Sequence, residues 1–188
     1  NDMAVCNEIS PEYLEGVLPG IQAGALVLDT NLPVESLEFI CRSSCIPLYA
    51  DPVSSVKAMK LHGVMKHLRA IKPNALEAAA LTGQTDPELA ARALIDEGVQ
   101  RVFISLGTNG MIAAEGSRIL RMPSPEANVV NATGAGDAAM SAIVWADLHG
   151  LSLEDSARAA QLAGAITCAS EESNAPELSR LPGLLAAE

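Results

Sequence analysis

Aromatic residues are scarce in this chain. One Trp, two Tyr and two Phe make up 3% of 188 residues, against an apolar share of 49%. The core must therefore be built from aliphatic side chains and alanine. Basic residues are also few: 12 Lys and Arg stand against 23 Asp and Glu, a formal charge of -11. Such an acidic balance argues against nucleic acid, whose phosphates call for Lys and Arg, and against anionic membrane surfaces. No apolar run is long enough to span a bilayer, and no signal peptide is apparent. The four cysteines, Cys6, Cys41, Cys45 and Cys168, form no C-x-x-C pair, and the three histidines are scattered. This argues against a thiolate metal site or a disulfide framework, and reduced thiols in a cytoplasmic protein are expected. Cys41 and Cys45, four apart, are expected to share a helical face for packing. There is no G-x-x-x-x-G-K-[ST], which excludes a P-loop.

What is present is an alternation of short apolar runs with helical patterns, and the length suits one domain, residues 1–188. Strands are expected at Ala25–Leu28, Ile46–Ala50, Arg69–Ile71 and Arg101–Leu106, with a hairpin over 111–122 around Gly116-Ser117. Helices are expected over 11–22, 33–45, 57–68 (broken near Gly63), 75–81, 86–98, 138–148 and 152–170, and after Pro176. Ser10 with Pro11 is a cap and a first-turn proline. Strands alternating with helices mean an α/β fold with a mostly parallel sheet. Ligands of such sheets bind beyond the carboxyl ends of the strands, so the residues to inspect are Asp29, Asn31, Asp51, Lys72, Asn74, Ser105, Asn131 and Asp137.

The stretch that organises the rest runs from Val129 to Asp137, Val-Val-Asn-Ala-Thr-Gly-Ala-Gly-Asp. It reads as a strand, a glycine turn and a helix N-terminus. Glycines there let a ligand approach the main chain, and the unpaired first-turn N–H groups favour an anion, phosphate above all. Asp137 has two readings of equal weight. It is a base that takes a proton from an attacking hydroxyl, or an acidic residue favoured by the helix dipole. Gly134, Gly136 and Ala139 also fit the dinucleotide fingerprint G-x-G-x-x-A. A second helix follows where that motif needs a strand, which ranks this reading lower.

Two further motifs stay open. Asn74 and Glu77, three apart at a helix start, form a capping box. Beside a phosphate site, the same pair could hold waters around Mg²⁺. Ser105–Gly110 is an ordinary glycine turn or a main-chain wall for a nucleotide.

Taken together and in order, several stretches resemble the ribokinase-like (PfkB) family of sugar and nucleoside kinases. They are Asn1-Asp2-Met3, Val27–Leu32, Ala50–Ser54, Ile71–Asn74 with Glu77 and Leu81–Gly83, Ile104–Gly107, and Val130–Ala138. Asn131, with the Asp51–Ser54 stretch, resembles a branch with a nucleoside acceptor. The resemblance implies a three-layer Rossmann-like α/β/α fold and ATP-dependent phosphoryl transfer with Mg²⁺. It implies Asp137 as catalytic base and the Gly134, Ala135 and Gly136 main chain as anion hole. Asn74 and Glu77 would organise Mg²⁺ through water. Lys72, Ser105, Gly107, Gly110, Thr133 and Gln161 would line the nucleotide, and Asn131 and Thr133 fall where relatives hold a monovalent cation such as K⁺. The expected partners are ATP and a small nucleoside or sugar, in a homodimer. The family's sugar-gripping Gly-Gly motif and its β lid are not found here. The chain reads as entering the fold part-way and corresponds to the C-terminal, nucleotide-binding part.

Overall fold

The computed structural model describes residues 3–186; Asn1 and Asp2, the start of the first matching stretch, lie outside the described residues. Six strands form one sheet in sequential order: β1 (Leu26–Asp29), β2 (Leu48–Asp51), β3 (Leu68–Ile71), β4 (Arg101–Ser105), β5 (Met111–Glu115) and β6 (Arg118–Met122). The first four pair in parallel, with Leu28 opposite Ala50, Ala50 opposite Ile71, and Ile71 opposite Val102. Helices cover both faces of the sheet, as expected of the α/β class. A parallel sheet covered on both faces needs strands that are apolar throughout. Tyr49, Ala50, Ile71, Val102, Phe103 and Ile104 are accordingly fully buried. Each large side chain among them stabilises the fold by roughly 1.5–3 kcal/mol relative to exposure. On β1, at the end of the strand order, Val27 is instead exposed.

The chain divides into two compact units. The first comprises Asn1–Ser105 with Ala114–Ile119. It holds α1 (Pro11–Val17), α2 (Val34–Ser43), α3 (Ser55–Ala58), α4 (Ala75–Thr82) and α5 (Pro87–Asp96). Local chemistry sets their ends. Ser10 Oγ accepts the Tyr13 N–H ahead of α1, and Asp86 Oδ1 accepts the Glu88 and Leu89 N–H groups ahead of α5. Gly83, left-handed at φ 71°, closes α4.

The second unit comprises Leu106–Ala113 with Leu120–Glu188. It is dominated by α6 (Ala135–Leu148), α7 (Leu153–Cys168) and the short α8 (Leu181–Ala186). Ala138, Ala142 and Ala146 of α6 share one buried cluster with Ala159 and Ala163 of α7 and Leu181 of α8. Alanine is the strongest helix former, and its small side chain lets two helices pack closely.

Four local expectations are corrected. The helix expected over 11–22 ends at Val17, with a 3₁₀ turn to Gly20, because Pro19 cannot continue an α-helix. The one over 57–68 shrinks to α3 and two 3₁₀ turns. Helix α2 stops at Ser43, so Cys45 lies beyond it and is exposed, while Cys41 is buried and desolvation pushes its thiol up to about 11. Val129 and Val130 form no strand and are both more than half exposed. The Val130 N–H turns to the Cys168 carbonyl, and Pro123 and Pro125 just upstream have no N–H to offer a sheet.

Candidate active site

In the first unit the strand ends are joined by side chains. The register that sets Asp29 opposite Asp51 brings two carboxylates to neighbouring strand ends. Lys72, just past β3, is buried, and its Nζ lies 3.0 Å from Asp51 Oδ2. A buried ammonium group requires such a partner. The other Asp51 oxygen accepts the Val53 N–H at 3.1 Å. Val53 is a β-branched residue at φ 62°, a conformation that normally favours glycine. Its turn is pinned by the buried Thr30 hydroxyl, which donates to the Pro52 carbonyl, and by the Ser54 N–H, 2.6 Å from the same oxygen. Ser54 caps α3, whose Lys57 reaches back to Asn31 Oδ1 at 2.6 Å, and Asn31 in turn donates to both oxygens of Asp29. Lys60 donates to the Thr30 and Leu32 carbonyls.

Asn74 and Glu77 form the complete capping box of α4. Asn74 Oδ1 accepts the Leu76 and Glu77 N–H groups, both at 2.9 Å, and Glu77 Oε2 accepts the Asn74 N–H at 2.8 Å. Glu77 is buried and Asn74 exposed. Ser105 lies beside this cap: its N–H donates to the Pro73 carbonyl at 2.9 Å, and it bridges to Asn74 in parallel. Lys72, Asn74, Glu77 and Ser105 are thus brought together.

In the second unit the glycine loop is shaped by main chain. Gly134 is left-handed at φ 84°, and a Cβ there would fall 2.4 Å from the Ser173 carbonyl oxygen. No residue but glycine fits. The turn is closed by Ala135 N–H to the Ala132 carbonyl at 3.3 Å. Gly136 and Asp137 follow in the first turn of α6, where N–H groups have no carbonyl four residues back within the helix. Asp137, its third residue, is exposed. The segment after α7 braces the loop: the Cys168 carbonyl accepts the Val130 and Asn131 N–H groups at 2.7 and 3.1 Å. Asn131 Nδ2 donates to the Glu171 carbonyl, and Asn131 Oδ1 accepts the Thr133 N–H.

The Gly107–Gly110 turn is a second main-chain feature of this unit. The Leu106 N–H donates to the Gly110 carbonyl at 2.8 Å, and a Cβ on Gly110 would meet the Met122 carbonyl oxygen at 1.9 Å. Gln161, on α7, donates from Nε2 to the Pro123 carbonyl at 2.9 Å, so Gln161 and the turn both meet the Met122–Pro123 segment.

Sequence reasoning missed two parts of this picture. The bracing carbonyls of Cys168 and Glu171, and the Ser173 carbonyl that packs on Gly134, carry no sequence signal, since any residue supplies a carbonyl. The strained Val53 turn shows only as an Asp-Pro between a strand and a cap. Among the described residues, no three His, Cys, Asp or Glu side chains cluster as metal ligands, and no helix is long and apolar enough to cross a membrane.

Comparison with known proteins places these features. The family model of the pfkB carbohydrate kinases matches residues 13–180. The chain is 33% identical over 187 residues to the pseudouridine kinase of Escherichia coli K12, covering 95% of this chain and 60% of that protein. It is 34% identical over 188 residues to the uncharacterized sugar kinase YeiI of the same strain, covering 95% and 52%. Among solved structures, a carbohydrate kinase from Agrobacterium tumefaciens superposes with a TM-score of 0.81 at 28% identity, over 98% of this chain and 62% of that one. A ribokinase from Thermotoga maritima has the same fold, with a TM-score of 0.84 at 21% identity over 96% and 62%. The chain thus spans between half and two thirds of the length of these relatives. With its parallel sheet and its glycine loop at the start of α6, the chain belongs to the pfkB family of carbohydrate kinases.

Proposed function

We propose that the protein transfers the γ-phosphoryl group of ATP to the 5′-hydroxyl of a nucleoside, pseudouridine, giving pseudouridine 5′-phosphate. The observation that carries this reading is Asp137 in the first turn of α6, three residues after Gly134, a glycine that no side chain can replace. A carboxylate next to an anion-binding helix start repels its ligand unless it acts on it. As a base it accepts the proton of the attacking hydroxyl, while the Gly134–Gly136 main chain stabilises charge on the transferred group. Lys72, Ser105, Gly107, Gly110, Thr133 and Gln161 serve the nucleotide. With Asn74 Oδ1 and Glu77 Oε2 engaged in the cap, Glu77 Oε1 is the hard oxygen donor beside Asn74, which suits a Mg²⁺ ion that keeps much of its water. Bound there, Mg²⁺ would neutralise phosphate charge. The 33% identity to a pseudouridine kinase supports the acceptor, and the similar identity to a sugar kinase favours, as second reading, another sugar as acceptor. The acidic charge and the reduced cysteines fit a cytoplasmic protein that leaves nucleic acid and membranes alone. A homodimer and a single ribokinase-like domain complete the proposal.

Calorimetric titration with Mg²⁺–ATP, followed by coupled ADP release with pseudouridine, uridine and ribose as acceptors, tests it. This chain by itself is expected to bind ATP weakly without useful turnover, and pseudouridine-dependent turnover of about 1 s⁻¹ or more is expected of a chain that carries the complete fold. ADP release with ribose but not pseudouridine moves the assignment to a sugar kinase. ATP binding without turnover on any acceptor, even with the complete fold, leaves a non-catalytic nucleotide-binding fragment.

A further inference from the structure

Asn131 sits where the family resemblance implies a monovalent cation, and its side chain is already committed. Its Oδ1 accepts the Thr133 N–H at 2.9 Å, and its Nδ2 donates to the Glu171 carbonyl at 3.2 Å. The orientation of the carboxamide follows from chemistry, because the reverse would set its NH₂ against the Thr133 N–H, donor against donor. The atom facing the Glu171 carbonyl is thus a hydrogen-bond donor. A cation needs oxygen at that place, and an amide N–H repels it. The same region already satisfies the Cys168 carbonyl with the Val130 and Asn131 N–H groups, while Ser173 packs on Gly134. The carbonyls that follow α7 lie at the negative end of a 16-residue helix and attract positive partial charge, which here comes from amides. The residues present do not fit a bound monovalent ion.

We propose that the Asn131 carboxamide takes the place of a monovalent cation: it ties the glycine loop to the Glu171 carbonyl, and the loop keeps its shape without such an ion. An aspartate at position 131 would still accept the Thr133 N–H, but its second oxygen would face the Glu171 carbonyl, oxygen against oxygen. Only a cation between them relieves that repulsion. The importance of this brace for turnover rests on the kinase reading above; the ion test does not.

The test measures melting temperature in potassium, sodium and tetramethylammonium chloride at equal concentration. The parent protein is expected to melt within about 1 °C in all three, less than the shift of one lost hydrogen bond. Asn131→Asp should melt about 2–4 °C lower in tetramethylammonium and recover selectively in potassium or sodium. Calorimetric titration of the parent with potassium chloride, against tetramethylammonium chloride, should show no selective heat; this arm decides the matter if the variant does not fold. A potassium- or sodium-selective rise in the parent, or an Asn131→Asp protein indifferent to the ion, overturns the proposal. ADP-release rates in the three salts then report on turnover: salt-independent in the parent, ion-dependent in the variant. An inactive parent with the expected melting pattern leaves the ion inference standing.

Discussion

The strand-end cluster of the first unit and the glycine loop of the second solve the same problem by opposite means. At the strand ends, polar side chains hold one another: Lys72 on Asp51, Lys57 on Asn31, Glu77 on the Asn74 N–H. At the loop, main-chain groups dominate: carbonyls of Cys168, Glu171 and Ser173, N–H groups of Val130 and Asn131, and one left-handed glycine. A site made of side chains is specified by residue type and loses function by truncation. A site made of main chain is specified by space, and it loses function when something is added. Asp137, like Asn131, is an exception in the second region, a chemically specific side chain set on a main-chain scaffold.

Asp137 gives the largest expected effect. Asp137→Asn should lower turnover by roughly 10²–10⁴-fold, the range for loss of a general base, with ATP binding retained because the main chain is untouched. Steady-state rates paired with calorimetric titration check both halves. Turnover close to the parent's would leave Asp137 as a first-turn residue favoured by the dipole, and the loop as main chain only.

Lys72→Met breaks the side-chain region at its buried ion pair. It removes one partner of an ion pair in which Lys72 is 6% and Asp51 21% exposed at the side chain. A loss of about 3 kcal/mol in unfolding free energy is expected, at the low end for buried pairs because Asp51 reaches solvent. Urea denaturation measures it. Asp51→Asn with Lys72→Met should recover part of the loss, and no recovery would mean that the two residues act separately.

Gly134→Ala tests the opposite principle, since it removes nothing. One methyl group is placed 2.4 Å from the Ser173 oxygen, at a φ of 84°. About 1–3 kcal/mol of strain is expected, with a melting temperature lower by about 2–4 °C for each kcal/mol and weakened ATP binding. Gly83→Ala is the control: it is equally left-handed, but a Cβ there meets nothing within 4 Å. It should cost less and leave ATP binding alone. Equal effects of the two would show that conformation, not space, governs the loop.

The smallest effect separates two tasks of one side chain. Glu77 completes a capping box, and in the proposed reading it also serves Mg²⁺. Glutamine still accepts the Asn74 N–H, so Glu77→Gln should move the melting temperature by only about 1 °C. The Mg²⁺ concentration for half-maximal rate should rise. An unchanged requirement would reduce Glu77 to a cap.

The kinds of interaction explain what was legible in the chain. Caps and turn residues act across two to four positions, and they appear as expected: Ser10 before Pro11, and Asn74 with Glu77. Buried parallel strands announce themselves as short apolar runs, and all four were found within a few residues of their bounds. The glycine signature named the family, which the match over residues 13–180 bears out. Val129–Val130 was misjudged because apolar character alone does not provide a strand with a pairing partner. Only the tertiary structure decided that this segment hangs on the end of α7, that Lys72 selects Asp51, and that Asn131 turns its amide to Glu171 across 40 residues of sequence. The reason is physical. Local conformation follows from side-chain sterics and caps written within one helical turn, and those the sequence determined. A carbonyl acceptor belongs to every residue alike, so which one meets a given donor is settled only when the packed helices bring the two together.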